Sequence, residues 1–528
     1  MVRRCTLVLV VFLALAASAS EGAAKRWWSY VEYLAGDKLE GRMTGSPGER
    51  LAAQFVADHF KQDGLKPAGT AGYIQPVKFL SRTIVDQESS LTLVREGKRV
   101  PLTIGEDANL NAGIGPAPSV NAPLAFVGYG LSIPEKNYDD LAGQDLHGKI
   151  AVFINGGPSS IPGPLRAHAQ SAEERWKALH RAGAVGTIAI YNPHHMDIPW
   201  ERAKLIRHQA AMRLADPALD ETPGDQLAMS FNPAHADKLF LGTSHTFESL
   251  VAIAERGEPL PRFPLAASIE ARTKFEQREV TSQNIVGILP GTDPVLKNEY
   301  IALTAHVDHL GIGEPIKGDK IYHGAMDNAA GVATMIDIAD TLHSSGAKTR
   351  RSLLFIIVTG EEKGLLGSKY FAAHPTVPLA QIVGDLNVDM FLPIYPLKYL
   401  TVHGLEESDL GPLLTTVAAK EGVETQTDPA PARNVFIRSD QYSFIKKGIP
   451  SIFFGFGYAK GSPEETAVKT WLTERYHSPA DDLKQPVDLP SAAKFNKILL
   501  QLAQAVADRP ERPQWNNDSF FRRYAAAK

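Results

Sequence analysis

Residues 300–309 read YIALTAHVDH, an apolar run that ends abruptly in two histidines and an aspartate. The same design recurs at 353–362, LLFIIVTGEE, and at 382–389, IVGDLNVD. Runs this short and this apolar predict buried strands at Tyr300–Ala305, Leu353–Val358 and Ile382–Val388, with a fourth at Ile452–Phe456. Between and after them, Val332, Met335, Ile336 and Ala339 form a helical stripe, as do Phe495, Ile498, Leu499 and Leu502. Strands alternating with helices give an α/β fold with a mostly parallel sheet covered by helices on both faces. In such sheets the functional site lies beyond the carboxyl ends of the strands. That is where this chain places its titratable side chains.

Outward from this core the texture changes. From about Asn121 to Ala271 short β-like runs, Leu124–Val127, Ile150–Ile154 and Val185–Tyr191, alternate with Gly and Pro, and Glu173–Arg181 reads as a helix. The segment 121–271 is therefore expected to be an inserted β-rich domain. It divides a main domain into a part at 20–120 and a larger part at 272–508. Near the start, Trp28, Val31 and Leu34 share one helical face, and Leu51, Phe55, Val56 and Phe60 another. The tail, 509–528, is polar and Pro-containing and is expected to be loosely held. Residues 1–19 carry Arg3 and Arg4, an apolar run from Leu7 to Ala17 and the small-residue site Ala17-Ser18-Ala19. They read as a secretory signal, which predicts export to the periplasm or the cell exterior and no membrane attachment beyond it.

Composition narrows the function classes. Apolar residues make up 44% and charged residues 22%, the balance of a soluble globular protein. The formal net charge is −4, so no basic footprint points to nucleic acid. The single cysteine, Cys5, lies inside the leader, which leaves no disulfide and no thiol nucleophile beyond it. Any metal must be held by histidine and carboxylate.

Those ligands are present at the strand ends. The first strand runs into His306 and Asp308, the second into Glu361 and Glu362, and the third into Asp389. A turn at Gly324 delivers Asp327 just before a helix, and His477 follows Tyr476 in a polar loop. Taken alone, Asp327 could be a helix N-cap and the Glu pair a solvated turn. The sites fall at the ends of successive strands of one sheet, and that argues for a single centre. Zinc accepts imidazole nitrogen and carboxylate oxygen. A pair of zinc ions needs one shared carboxylate, terminal ligands and room for water. Adjacent Glu361 and Glu362 diverge in a turn, so that one can bind metal while the other serves as a general base. The His306-x-Asp308 spacing suits a carboxylate that orients an imidazole ligand.

With these residues placed, the sequence resembles the di-zinc exopeptidases of metallopeptidase family twenty-eight. The resemblance rests on N-I-V-G-I-L-P-G-T-D-P from Asn284, T-A-H-V-D-H-L-G from Thr304 and G-A-M-D-N-A-A-G from Gly324. It continues through T-G-E-E-K-G-L-L-G-S from Thr359, N-V-D-M from Asn387, S-D-Q-Y-S-F from Ser439 and Y-H-S-P-A-D from Tyr476. It implies a zinc exopeptidase fold with two Zn2+ per chain. His306, Asp327 and Asp389 would hold one ion and Asp327, Glu362 and His477 the other. Glu361 would be the general base, Asp308 the orienting residue and Tyr476 a stabiliser of the oxyanion. A cis peptide at Asp327–Asn328 is a further family trait. F-V-G-Y-G-L from Phe126, Y-D-D-L-A-G-Q-D-L-H-G-K-I-A-V-F from Tyr138 and A-G-A-V-G-T-I-A-I-Y from Ala182 resemble a protease-associated domain. Gln441 departs from the family, where His is common after the Ser-Asp pair. The pair His194-His195 reads as solvated loop.

The implied activity is that of an aminopeptidase acting on peptides with a free amino terminus. A carboxypeptidase, with Arg438 to hold the terminal carboxylate, is an alternative on the same fold. So is a glutaminyl cyclase, which needs a single zinc. A receptor-like relative without catalysis would be expected to have lost ligands or the base, and all are retained here.

Overall fold

The computed structural model describes residues 21–525. The leader assigned to 1–19 lies outside the described residues. The chain forms two compact units: one holds residues up to Val77 together with 282–429 and from 439 onward, and the other holds Lys78–Thr281 and Ala430–Arg438. The second unit is wider than the 121–271 expected: it begins at Lys78, so that it includes the strands Ser90–Arg95, Lys98–Leu102 and Ala108–Leu110, and it recruits Ala430–Arg438.

The main unit is built on a mixed sheet. Its strand order is Phe275–Leu289, Ser352–Val358, Tyr300–His306, Ile382–Asn387, Ser451–Gly457, Tyr399–His403 and Glu424–Gln426. The four central strands, from Ser352–Val358 to Ser451–Gly457, run parallel. Phe275–Leu289 and Tyr399–His403 flank them antiparallel. Every residue of Ser352–Val358 and Ile382–Asn387 is buried; the first is apolar after Ser352 without alternation, and in the second the buried Asp385 and Asn387 accept hydrogen bonds from Thr304. Ala302, Leu354, Ile356 and Val358 pack against Phe371 and Phe444, from the helices Leu366–Ala373 and Gln441–Ile445. Phe355 points the other way, to Phe60 at a ring separation of 5.6 Å. Side chains alternate along a strand, so the helix Pro47–Gln62 covers the opposite face. The helices Ala330–Ser345 and Leu489–Asp508 also pack on the sheet.

Three local expectations differ from what is found. The first helix buries Trp27, Val31 and Leu34, so the stripe starts one residue before Trp28. In Pro47–Gln62 the buried stripe is Ala52, Ala53, Val56 and Phe60, while Leu51 is exposed. The tail is docked: Phe521 and Trp515 are buried, the Trp515 indole donates to the Gly448 carbonyl at 3.2 Å, and Arg351 donates to the Pro510 carbonyl at 3.0 Å. Two aromatic anchors outweigh a polar composition, because each removes a large apolar area from water.

The second unit has its own eight-stranded sheet, ordered Lys98–Leu102, Ser90–Arg95, Phe263–Arg272, Ser119–Phe126, Ile150–Ile154, Gly186–Ile190, Leu227–Phe231 and Ala108–Leu110. Helix Ala172–Arg181 supplies Trp176 and Leu179 to a core shared with Val127 and Phe153.

Candidate metal centre

The three central strands deliver their side chains to one place. His306 is the last residue of Tyr300–His306, and the chain then turns through Val307, whose N–H reaches the Val358 carbonyl at 2.8 Å. Glu361 and Glu362 follow Ser352–Val358, and Asp389 follows Ile382–Asn387. Asp327 sits in an irregular turn before the helix Ala330–Ser345, entered through Gly324 at φ +60°. That backbone conformation favours glycine, and an added Cβ would also strike the Asp327 carbonyl at 2.2 Å. The Asp327–Asn328 peptide is cis, the family trait. Two carboxamide bonds hold this turn: Asn328 donates to the Val388 carbonyl at 2.9 Å and accepts from the Gly331 N–H at 3.0 Å. His477 adopts φ +53°, an unusual conformation for a non-glycine residue.

Asp327 lies at the middle of the cluster and divides its two oxygens. Its Oδ1 is 3.3 Å from His306 Nε2, which is itself 3.2 Å from Asp389 Oδ1. Its Oδ2 is 3.3 Å from His477 Nε2, which is 3.1 Å from Glu362 Oε2. Two groups of donors thus share one aspartate. Glu361 stands off from both, with its Oε2 3.9 Å from His306 Nε2. Tyr476 is buried beside the ligands, its ring 3.9 Å from that of His477. All five expected ligands, with Glu361 and Tyr476, are therefore brought together.

The electrostatics show what the cluster demands. Burial opposes charge on His306, yet Glu361 and Asp389 hold its pKa well above the usual value. Burial likewise opposes charge on His477, and Glu362 and Asp327 raise it to about 9. Burial and the neighbouring Glu362 disfavour the Asp327 anion, but His309, His306 and His477 bring its pKa down to about 2. Burial, with Asp389 and Glu362 nearby, pushes Glu361 well up against the pull of His306. Four carboxyl groups in so small a buried space require compensating positive charge. Imidazole nitrogens and carboxylate oxygens a little over 3 Å apart suit zinc as the source of that charge. Besides the expected pairing, His306, Glu361 and Asp389 can converge on one point, and His309, Asp327 and Glu362 on another, with ligand atoms within 4.8 Å of one another.

Asp308 acts differently from its expected part. The His306 Nδ1 finds the main-chain carbonyl of Asp308 at 3.1 Å, whereas the Asp308 carboxylate is 3.8 Å away. That carboxylate accepts instead from Thr44 Oγ1 at 2.8 Å and from the Glu361 N–H at 3.1 Å. Asp308 orients His306 through its backbone and Glu361 through its side chain.

Three supporting residues were not assigned from the sequence. Asp481 accepts from the N–H groups of Met326 and Asp327 at 3.0 and 3.1 Å, so the Tyr476–Asp481 segment supplies both a ligand and the cap of the ligand turn. Arg42 donates to four main-chain carbonyls around the site. His309 Nδ1 is 2.6 Å from Glu362 Oε1. Its presence two residues beyond Val307 was a visible signal, but one without an assigned partner. Gln441 accepts from Asn387 at 3.1 Å and is not among the ligands. Arg438 groups with the second unit, where it pairs with Asp197 at 2.8 Å. His195 is exposed, with its Nε2 3.0 Å from Glu255 Oε1.

The mostly parallel sheet gathers histidines and carboxylates beyond the carboxyl ends of its strands, where open α/β sheets place their sites. Residues 284–503 match the model of peptidase family M28. A solved aminopeptidase from Aneurinibacillus sp. strain AM-1 shares the fold, with a TM-score of 0.55 and 20% identity over 93% of this chain and 95% of its own. The chain is 28% identical over 250 residues to a probable leucine aminopeptidase 2 from Aspergillus oryzae, covering 45% of each. It is 26% identical over 230 residues to aminopeptidase YwaD from Bacillus subtilis, covering 41% of this chain and 45% of the relative. These matches span less than half the length of the curated relatives.

Proposed function

We propose that the protein is a metallo-aminopeptidase that binds two Zn2+ and hydrolyses the bond after the first residue of a peptide. The observation that carries this is the division of Asp327, one oxygen toward His306 and Asp389 and the other toward Glu362 and His477. His306, Asp327 and Asp389 would hold one ion and Asp327, Glu362 and His477 the other. When bound, the ions polarise the scissile carbonyl and acidify water at the site. Glu361, free of the donor spacing, takes the proton from the attacking water and returns it to the leaving amine. Asp308 fixes the main chain of Glu361, and Tyr476 is assigned the hydroxyl that meets the developing oxyanion.

The direction of attack rests on charge. A substrate ammonium can sit against Glu361 and Asp389, whereas a carboxypeptidase needs a cation for the terminal carboxylate. Arg438, the sequence candidate for that cation, is paired with Asp197, which disfavours the alternative. A receptor-like role is disfavoured by the complete ligand set. The names of the relatives, aminopeptidases of a fungus and a bacterium, agree with this reading. The second unit is assigned as a protease-associated domain, and the chain as an exported protein.

The test is an aminoacyl p-nitroanilide beside its N-acetyl form. Acetylation should abolish cleavage. Faster turnover of the acetylated compound, or of a peptide trimmed from its carboxyl end, would overturn the aminopeptidase assignment.

A further inference from the structure

His309 is fully buried between the two ligand-bearing turns. Its main-chain N–H donates to the Arg42 carbonyl at 3.1 Å. Its ring lies so close over Gly324 that a Cβ there would come within 2.6 Å of it. The ring directs Nδ1 at Glu362 Oε1 at 2.6 Å. The other oxygen of that carboxylate, Oε2, is 3.1 Å from His477 Nε2.

These two distances describe different relationships. Two donors that share a tetrahedral zinc, each roughly 2.0–2.2 Å from it, lie about 3.3 Å apart. The spacings among His477, Glu362 and Asp327 fit that value. The 2.6 Å separation of His309 and Glu362 is too short for co-ligands and is the length of a charge-assisted hydrogen bond. Separately, His309 Nε2 is buried with no hydrogen-bond partner among the described residues. Nδ1, at hydrogen-bond distance from a carboxylate oxygen that can only accept when ionised, is the nitrogen placed to donate.

We propose that His309 is a positioning residue whose Nδ1–H holds Glu362 Oε1 and leaves Oε2 as the single metal-facing oxygen. The inference rests on the two-zinc reading above. Without this donor Glu362 is free to rotate or to present both oxygens, and the site it shares with His477 loses its preset geometry.

The test uses the full chain loaded with zinc and titrated with a chromogenic chelator, together with the cobalt-loaded protein. Wild type should release two equivalents of zinc. One equivalent or none would sink the two-zinc reading itself, whatever the variants do. His309→Phe keeps the ring volume and removes the donor. It should weaken one equivalent by roughly 10–100-fold, leave the other unchanged and alter half of the cobalt absorption. His309→Asn restores an N–H near the Nδ1 position and should recover wild-type retention and spectrum. Should His309→Phe fail to fold by circular dichroism, His309→Ala replaces it. A folded Phe or Ala variant holding both ions as wild type does, or an Asn variant no better than these, would overturn the proposal.

Discussion

Glu361 gives its main-chain N–H to the Asp308 carboxylate at 3.1 Å, tying together the ends of two adjacent central strands. The strand that presents the ligand His306 therefore also sets the position of the proposed base. It follows that the two adjacent glutamates should fail in different ways when altered. Glu361→Gln should keep both zinc ions and lose turnover by roughly 10²–10⁴-fold, the usual worth of a general base. Glu362→Gln should weaken the metal held with His477, because Glu362 Oε2 stands at ligand spacing from it. Metal analysis beside kcat measurement checks both. Metal loss in the first variant with retention in the second would reverse the pair.

Removing metal should cost stability as well as activity. The chelated protein would keep Asp327, Glu361, Glu362 and Asp389 buried close together with imidazolium and the Arg42 guanidinium to offset them in place of two metal ions. A ligand that binds only the folded chain stabilises it by mass action, so the thermal midpoint should fall on chelation and recover with added zinc. Elemental analysis should give a ratio near two. A ratio near one, unchanged by excess zinc, would favour the cyclase alternative.

How much of this was legible in the sequence depends on the physics of each part. The ligands were visible because the sheet is buried on both faces: apolar runs such as 353–358 end in polar residues only where the strands end. The second-layer contacts were not visible. Asp308 precedes the Glu361 it supports by more than fifty residues in the chain, and Thr44 lies farther away still. Spacing along the chain carries no information about such pairs. The H-x-D spacing suggested a carboxylate on His306, but the backbone carbonyl is the nearer acceptor. The docked tail was missed because Trp515 and Phe521 sit in a polar segment and show no helical or strand period.

Asp225 in the second unit gives a pH prediction independent of metal. It is buried, its carboxylate accepts the Leu227 N–H at 3.2 Å, and Asp220 is near. Burial first, and Asp220 next, raise its pKa to about 7. The folded chain then holds this proton over a range where the unfolded chain, with a pKa of about 3.9, has released it. Its contribution to stability is full below about pH 3.9 and is lost as pH rises through about 7. The slope in that window is at most about 1.4 kcal/mol per pH unit. Asp225→Asn should flatten this part of the profile and be more stable than wild type at pH 8. Urea midpoints at pH 5 and pH 8 decide it, and a variant with the wild-type slope would show that the group titrates normally.

Arg42 should prove the most sensitive position outside the ligands. It is buried, and its guanidinium donates to the carbonyls of Val307 at 2.9 Å, Leu34 at 2.5 Å, His323 at 2.7 Å and Gly324 at 3.0 Å. Val307 lies between His306 and Asp308, and Gly324 opens the turn that carries Asp327. One side chain thus fastens both ligand turns to the first helical segment. Burial lowers its pKa to about 10, while Asp327, Asp481, Asp308 and Glu362 favour the cation. It remains charged at neutral pH and offsets part of the acidic cluster. Lysine keeps that charge but has a compact ammonium instead of a planar fork of donors, and it cannot span the same carbonyls. Each buried acceptor left without a donor costs about 1–3 kcal/mol. Arg42→Lys should therefore lose roughly 2–6 kcal/mol in urea unfolding, on the basis of about two orphaned acceptors. It should also release zinc at lower chelator concentration, since both turns loosen together. Wild-type values for both midpoint and zinc retention would mean that water satisfies these carbonyls equally well, and that the ligand turns are held by Asp481 and Asn328 alone.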